Sequence, residues 1–141
     1  MPAACVFCAI AARSSSAHVV LDDDDFVAFL DVKPLFHGHV LVIPRDHTVT
    51  LPDLAPNLVG PLFTRVSAVA KAVTKARGAE GSFIAMNNIV SQSVPHLHVH
   101  VVPRKKGDGL KGFFWPRTKY PNDDAMAEVA TTIRAALETD R

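Results

Sequence analysis

Short apolar runs separated by polar and turn-forming stretches set the first outline of this chain. "HVVL" (18–21) and "FVAFLD" (26–31) flank the acidic run "DDDD" (22–25), a pattern that predicts two strands joined by a turn. "HVLVIP" (39–44) is β-branched and stops at Pro44, as a third strand would. Leu58, Leu62, Val66, Val69 and Val73 then step by four and three residues, which puts them on one face of a long helix. Arg65, Lys71 and Lys75 fall mostly elsewhere on that helix, and Gly78 is suited to end it. "SFIAMNN" (82–88) and "HLHVHVVP" (96–103) supply two more strands. "RKKGDGLKGFFWPRTKYP" (104–121) holds too much Gly and Pro for a regular element and reads as a loop. A last helix starts at Asn122 as its N-cap, with Asp123 and Asp124 in the first turn and Met126, Val129, Ile133 and Leu137 as its apolar stripe. The expected fold is α+β: an antiparallel sheet of about five strands packed with two helices. It reads as a single domain over 1–141, with a core from about 5 to 104 and a loop and C-terminal helix over 105–141.

Composition narrows the class. A chain of 141 residues buries a substantial core, and 48% hydrophobic with 21% charged residues describes a globular protein. A net charge of +1 gives no electrostatic argument for a nucleic acid or an acidic membrane as partner. No apolar run approaches the ~20 residues of a membrane span, and the N-terminus lacks a basic region ahead of its short apolar stretch, so a cytoplasmic location is expected. Cys5 and Cys8 are then expected to be reduced, which favours a metal or thiol role over a disulfide. The acidic run reads as a solvated turn without function.

Chemistry concentrates in "VPHLHVHVVPR" (94–104). On a strand, Leu97, Val99 and Val101 face one side while His96, His98 and His100 share the other, roughly 6.5–7 Å apart. Neighbouring imidazoles oppose one another's protonation and pack poorly, so three in alternation point to a site. Imidazole is a zinc ligand, but side chains in a row splay apart, so the row leaves room for one or two ligands and argues against all three. The remaining chemistry is on an anion: a neutral imidazole attacks phosphorus while a neighbour stabilises phosphate charge or protonates a leaving group. Cys5-x-x-Cys8 is open to three readings: a redox pair, although no strand precedes it, a pair of buried free thiols, or metal ligands.

These residues resemble the histidine triad (HIT) family of nucleotide hydrolases and transferases. "HLHVHVV" fits the family's His-x-His-x-His motif at every position; "FVAFLDVKPLFHGHVLVIPRDH" (26–47) is similar to its ribose-binding segment, "SQSVPHLHVHVVPR" (91–104) to its phosphate loop and catalytic strand, and "CVFC" (5–8) to the cysteine pair of bacterial members. The resemblance implies that His98 is the nucleophile, that His100 contacts the phosphate and helps the leaving group depart, and that His39 supports the site. It implies Asp31 on the ribose hydroxyls, Phe29 and Val32 in the slot for the base, and Asn88, Gln92 and Ser93 in the phosphate loop. It further implies one structural zinc per chain held by Cys5, Cys8, His47 and His96, beside the reaction centre, and a homodimer in which Trp115 reaches the neighbouring site or packs on its own chain.

One stretch departs from the family pattern. In "NNIVSQSVPH" Ser91 stands where a glycine is usual, and the loop is about two residues short. The expected function is hydrolysis of a purine nucleotide conjugate (AMP-X, phosphoramidase-like) at its α-phosphate through a nucleotidyl-phosphohistidine. Dinucleoside polyphosphate hydrolysis is the alternative within that chemistry, and a non-catalytic nucleotide-binding or scaffold protein the alternative outside it. His18 and His37 read as surface residues, and Arg104, Lys105 and Lys106 as a basic turn that either steers a polyanion or is simply solvated.

Overall fold

Five strands, β1 (Val19–Asp22), β2 (Phe26–Leu30), β3 (Val40–Pro44), β4 (Gly81–Ala85) and β5 (Val99–Arg104), form one antiparallel sheet in the order β1-β2-β3-β5-β4. Three helices accompany them: α1 (Val6–Ala11), α2 (Pro56–Arg77) and α3 (Asp123–Thr139). The structure is a computed structural model that describes residues 5–110 and 117–139. Two compact units divide between Asp108 and Gly109, with the sheet, α1 and α2 in the first and α3 in the second.

The central strands β2 and β3 are buried on both faces, which explains why they read as unbroken apolar runs rather than alternating ones. On one face Phe26, Ala28, Val40, Val42, Val99 and Val101 pack with Leu62, Val66, Val69 and Val73 of α2. The opposite face carries Val27, Phe29, Leu41 and Ile43 and is covered by Phe7, Ile10 and Ala11 of α1. The sequence reading assigned no helix to this segment. Cys5 caps α1, its sulfur accepting the Cys8 N–H at 3.3 Å, so the first cysteine of the pair is also the helix start. Helix α2 ends as expected: Gly78 adopts φ 59°, and the N–H groups of Gly78 and Ala79 reach the carbonyls of Lys75 and Thr74. In the second unit, Asn122 caps α3 through the Ala125 N–H (2.8 Å), and Met126, Val129, Ile133 and Leu137 are exposed.

Two local readings are corrected. The last strand begins at Val99, not His96, because His96 and Leu97 bond outside the ladder: the His96 N–H reaches the Val94 carbonyl (2.8 Å) and the Leu97 N–H the Thr48 carbonyl (2.6 Å). The acidic run is also more than a solvated turn. Asp23 accepts the N–H groups of Asp25 and Phe26 and pairs with Arg65 at 3.0 Å, while Asp22 pairs with Arg13 and Arg45. The aromatics Phe113, Phe114 and Trp115 lie outside the described residues.

Candidate active site and metal cluster

Where β3 and β5 pair, Leu41 opposite His100, the imidazoles gather on the α1 side of the sheet. His39 and His98 are buried, each 3% exposed, and His100 is half-buried. His98 and His100 have ring centroids 5.1 Å apart, and the edge of Phe7 from α1 meets His98 at 5.1 Å.

Backbone partners fix the tautomers, because a carbonyl only accepts and an N–H only donates. His98 Nδ1 lies 2.7 Å from the His96 carbonyl and therefore carries the proton, which leaves the Nε2 lone pair free. The Leu35 N–H donates to His39 Nδ1 (3.0 Å), so neutral His39 is protonated at Nε2 and donates to His100 Nδ1 at 2.9 Å. His100 in turn carries its proton on Nε2. The arrangement thus offers one imidazole with a bare nitrogen beside another that presents an N–H.

Burial holds both supporting rings neutral. For His39 it is the dominant effect, partly offset by the Asp31 carboxylate, which lies 3.6 Å from Nε2. His100 is pushed down to about 4, by burial first and then by the positive charge that His98 and His39 would bring, again with Asp31 opposing.

A cavity of about 490 Å³ opens in front of these groups. Phe29, Leu41, Phe7 and Ile10 form its apolar wall, Asp31, Val32 and Lys33 one rim, and Ser93, His98 and His100 the other. Phe29 is 3% exposed and serves both core and cavity, whereas Val32 is 88% exposed at the mouth. Phe7 and Ile10 were not singled out from sequence, although their i, i+3 spacing in "CVFCAIA" carries a helical signal. Asn88 and Gln92 do not line the cavity; their amides bond the backbone of Leu51, Val49 and Ile89.

His96 turns away from its two neighbours. Its Nε2 donates to the Pro44 carbonyl (2.8 Å), so the Nδ1 lone pair faces Cys5 Sγ at 3.4 Å and Cys8 Sγ at 3.5 Å. His47 Nδ1 lies 3.2 Å from Cys8 Sγ, and the four ligand atoms are all within 4.8 Å of one another. Two thiols and two imidazoles in this arrangement suit a closed tetrahedral ion, and the His96 tautomer presents the nitrogen a metal needs. Without a metal the Cys8 thiol is raised to about 11, first by burial and then by Cys5, so a bound cation has to displace a proton. Asp31, His39 and His100 also cluster, but the His39 and His100 Nδ1 lone pairs are already occupied by the Leu35 N–H and by His39.

Comparison with known proteins agrees with this geometry. The HIT domain family model matches residues 12–107. An uncharacterized HIT-like protein of Mycobacterium tuberculosis is 37% identical over 138 residues, covering 94% of this chain and 92% of its own. An adenylylsulfatase of Arabidopsis thaliana is 36% identical over 75% of this chain and 55% of its own length. A bis(5'-nucleosyl)-tetraphosphatase (asymmetrical) of Schizosaccharomyces pombe is 45% identical over 57% of this chain and 46% of its own. Among solved structures, a Streptococcus mutans protein superposes with a TM-score of 0.86 at 31% identity, covering 97% of this chain and 87% of the other. A zinc-bound histidine triad family protein of Mycobacterium smegmatis superposes at 0.73 with 33% identity, covering 98% of each chain. Among the described residues no helix is long and apolar enough to cross a membrane.

Proposed function

From the membership of this chain in the HIT family, we propose that it hydrolyses a purine nucleotide conjugate at the α-phosphate, releasing AMP from an amine or similar leaving group. The observation that carries the reading is the His98 ring, its Nδ1 proton held by the His96 carbonyl at 2.7 Å and its Nε2 bare beside the cavity. The nucleoside enters the apolar wall of Phe29, Phe7 and Ile10, with Val32 at the mouth and the Asp31 carboxylate accepting from the ribose hydroxyls. His98 Nε2 attacks phosphorus, forming an N–P bond as the bond to the leaving group breaks. The His96 carbonyl stabilises the positive charge that develops on the ring. His100 Nε2–H, oriented by His39, donates to the phosphate and supports departure of the leaving group, and Ser93 adds a hydroxyl at the same rim. Water then attacks the nucleotidyl-phosphohistidine and restores free His98.

A metal in the Cys5, Cys8, His47 and His96 cluster would be structural zinc: it ties the N-terminal turn to the start of the catalytic segment, and His96 then presents its carbonyl to His98 from a fixed position. The zinc-bound relative supports that choice of ion.

A polyphosphate substrate is the second reading, favoured by the likeness to a tetraphosphatase. The cavity supports AMP conjugates better, since Lys33 is the one Lys or Arg among its described lining residues and Asp31 offsets it. We further infer a homodimer, supported by the exposed apolar stripe of α3 and by Ile84, 43% exposed on the edge strand β4; sedimentation velocity should give twice the chain mass, and a monomer would remove it.

The test is AMP release from adenosine 5′-monophosphoramidate and from diadenosine tetraphosphate. The amidate is expected to be the better substrate. His98→Ala should lose at least about 10³-fold in turnover while still binding AMP. If AMP binds and neither compound is cleaved, the protein is a binder, as the scaffold alternative holds.

A further inference from the structure

The loop between β4 and β5 holds a backbone shape its residues disfavour. Residues 86–98 contain no glycine, yet Ile89 and Ser91 adopt φ of 71° and 61°. Left-handed backbone is uncommon for non-glycine residues and a true outlier for a β-branched one. Ile89 and Val90 are 68% and 79% exposed, so core packing does not hold the turn.

Side-chain amides do. Gln92 Nε2 donates to the Val49 carbonyl at 2.6 Å while its Oε1 accepts the Ile89 N–H at 3.0 Å. Asn88 Oδ1 accepts the Leu51 N–H at 2.9 Å, and the Leu97 N–H reaches the Thr48 carbonyl at 2.6 Å. The loop is therefore fastened at both ends to residues 48–51. That segment is a firm base: Thr50 is 7% exposed, its hydroxyl donates to Asp53 at 2.6 Å, and Leu54 is buried beyond the short 3-10 turn Leu51–Asp53. Both ends of the Gln92 amide are engaged by backbone, and the next residue, Ser93, is the one that lines the cavity with His98.

We propose that Asn88 and Gln92 are positioning residues for the proposed reaction: they fasten the glycine-free loop onto residues 48–51 and so set Ser93 and the approach to His98. The inference rests on the hydrolase reading above and assigns Gln92 to the loop rather than to the phosphate. Where a glycine would adopt the left-handed turn unaided, this chain fastens it to residues 48–51 with the Asn88 and Gln92 amides, while the Asn87 amide donates to the Ser91 carbonyl at 3.2 Å within the turn. Releasing either one lets Ile89 and Ser91 relax toward ordinary φ and carries Ser93 with them.

The experiment compares the native protein with Gln92→Ala, Asn88→Ala and the double variant, using adenosine 5′-monophosphoramidate turnover, AMP titration, melting temperature and amide hydrogen exchange. Exchange should accelerate at Ile89 in Gln92→Ala and at Leu51 in Asn88→Ala, the two N–H groups that lose their acceptors. Each single change should lower kcat by roughly ten- to a hundredfold through misplacement, with KM within about threefold, because the nucleoside end is held elsewhere. The double variant should be about as slow as the slower single one, since both amides serve one fastening. Adding Ser91→Gly to Gln92→Ala should restore part of kcat, a rescue that loss of a phosphate contact would not show. The proposal is overturned if both single variants keep native kcat. It is equally overturned if Gln92→Ala weakens AMP binding about tenfold while Asn88→Ala changes nothing, which would make Gln92 a phosphate contact. A native protein that cleaves none of the substrates ends the hydrolase reading and the positioning role with it, while the exchange rates still decide whether the amides hold the loop.

Discussion

His96, His98 and His100 take three different partners, and each partner decides what the ring can do. A backbone carbonyl accepts from His98 Nδ1 and so keeps its proton there, another does the same at His96 Nε2, and a relay from the Leu35 N–H through His39 sets His100. Burial of His100 has a measurable consequence for stability. Its value falls from 6.5 in the open chain to about 4 in the fold, so between those pH values the unfolded state binds the extra proton. Stability contributed by neutral His100 is present above about pH 6.5 and is lost as pH falls toward about 4. Chemical denaturation across that window should show a shallower decline for His100→Gln than for the native chain, by at most about 1.4 kcal/mol per pH unit. An identical slope for both would place the ring in solvent. At this scale the sequence was legible in part. Alternation predicted one common side for Leu97, Val99 and Val101, and all three pack in the cluster with α2. The turning-away of His96 depends on Pro44, 52 positions distant, and no local pattern reports such a partner.

Among the elements, α1 and the β4–β5 loop carry what was hardest to read. Six residues are too few for a hydrophobic period to stand out, so the helix was missed although its Phe7 and Ile10 wall the cavity. Long, strongly patterned elements were legible: α2 buries Leu62, Val66, Val69 and Val73, and Leu58 packs partly buried beside them. The loop's missing glycine was visible in "NNIVSQSVPH", whereas the fastening by Asn88 and Gln92 required knowing that residues 48–51 lie alongside. For α1, metal analysis of purified protein should find about one zinc per chain, and Cys8→Ser should lose it along with several degrees of melting temperature. Because binding displaces the Cys8 proton, a chelator should strip the ion more readily at pH 5 than at pH 8. Intact folding with no metal would remove zinc from the account.

At the scale of the whole molecule, the sheet order β1-β2-β3-β5-β4 places the last strand in the chain between two earlier ones. The four ligand atoms likewise draw residues 5 and 8 together with residue 96, a separation of 91 positions for the longest pair. This arrangement orders what can pair while the chain is being made. While the ribosome is still making residues before Val99, β3 and β4 each have an apolar edge without its neighbour, and His96 has yet to join the N-terminal cysteines. Unpaired apolar edges of this kind are what growing chains aggregate through. The last strand is thus also the closing piece of the sheet: a nascent chain interrupted ahead of Val99 lacks the strand that joins β3 to β4 and leaves an edge of each open to other chains.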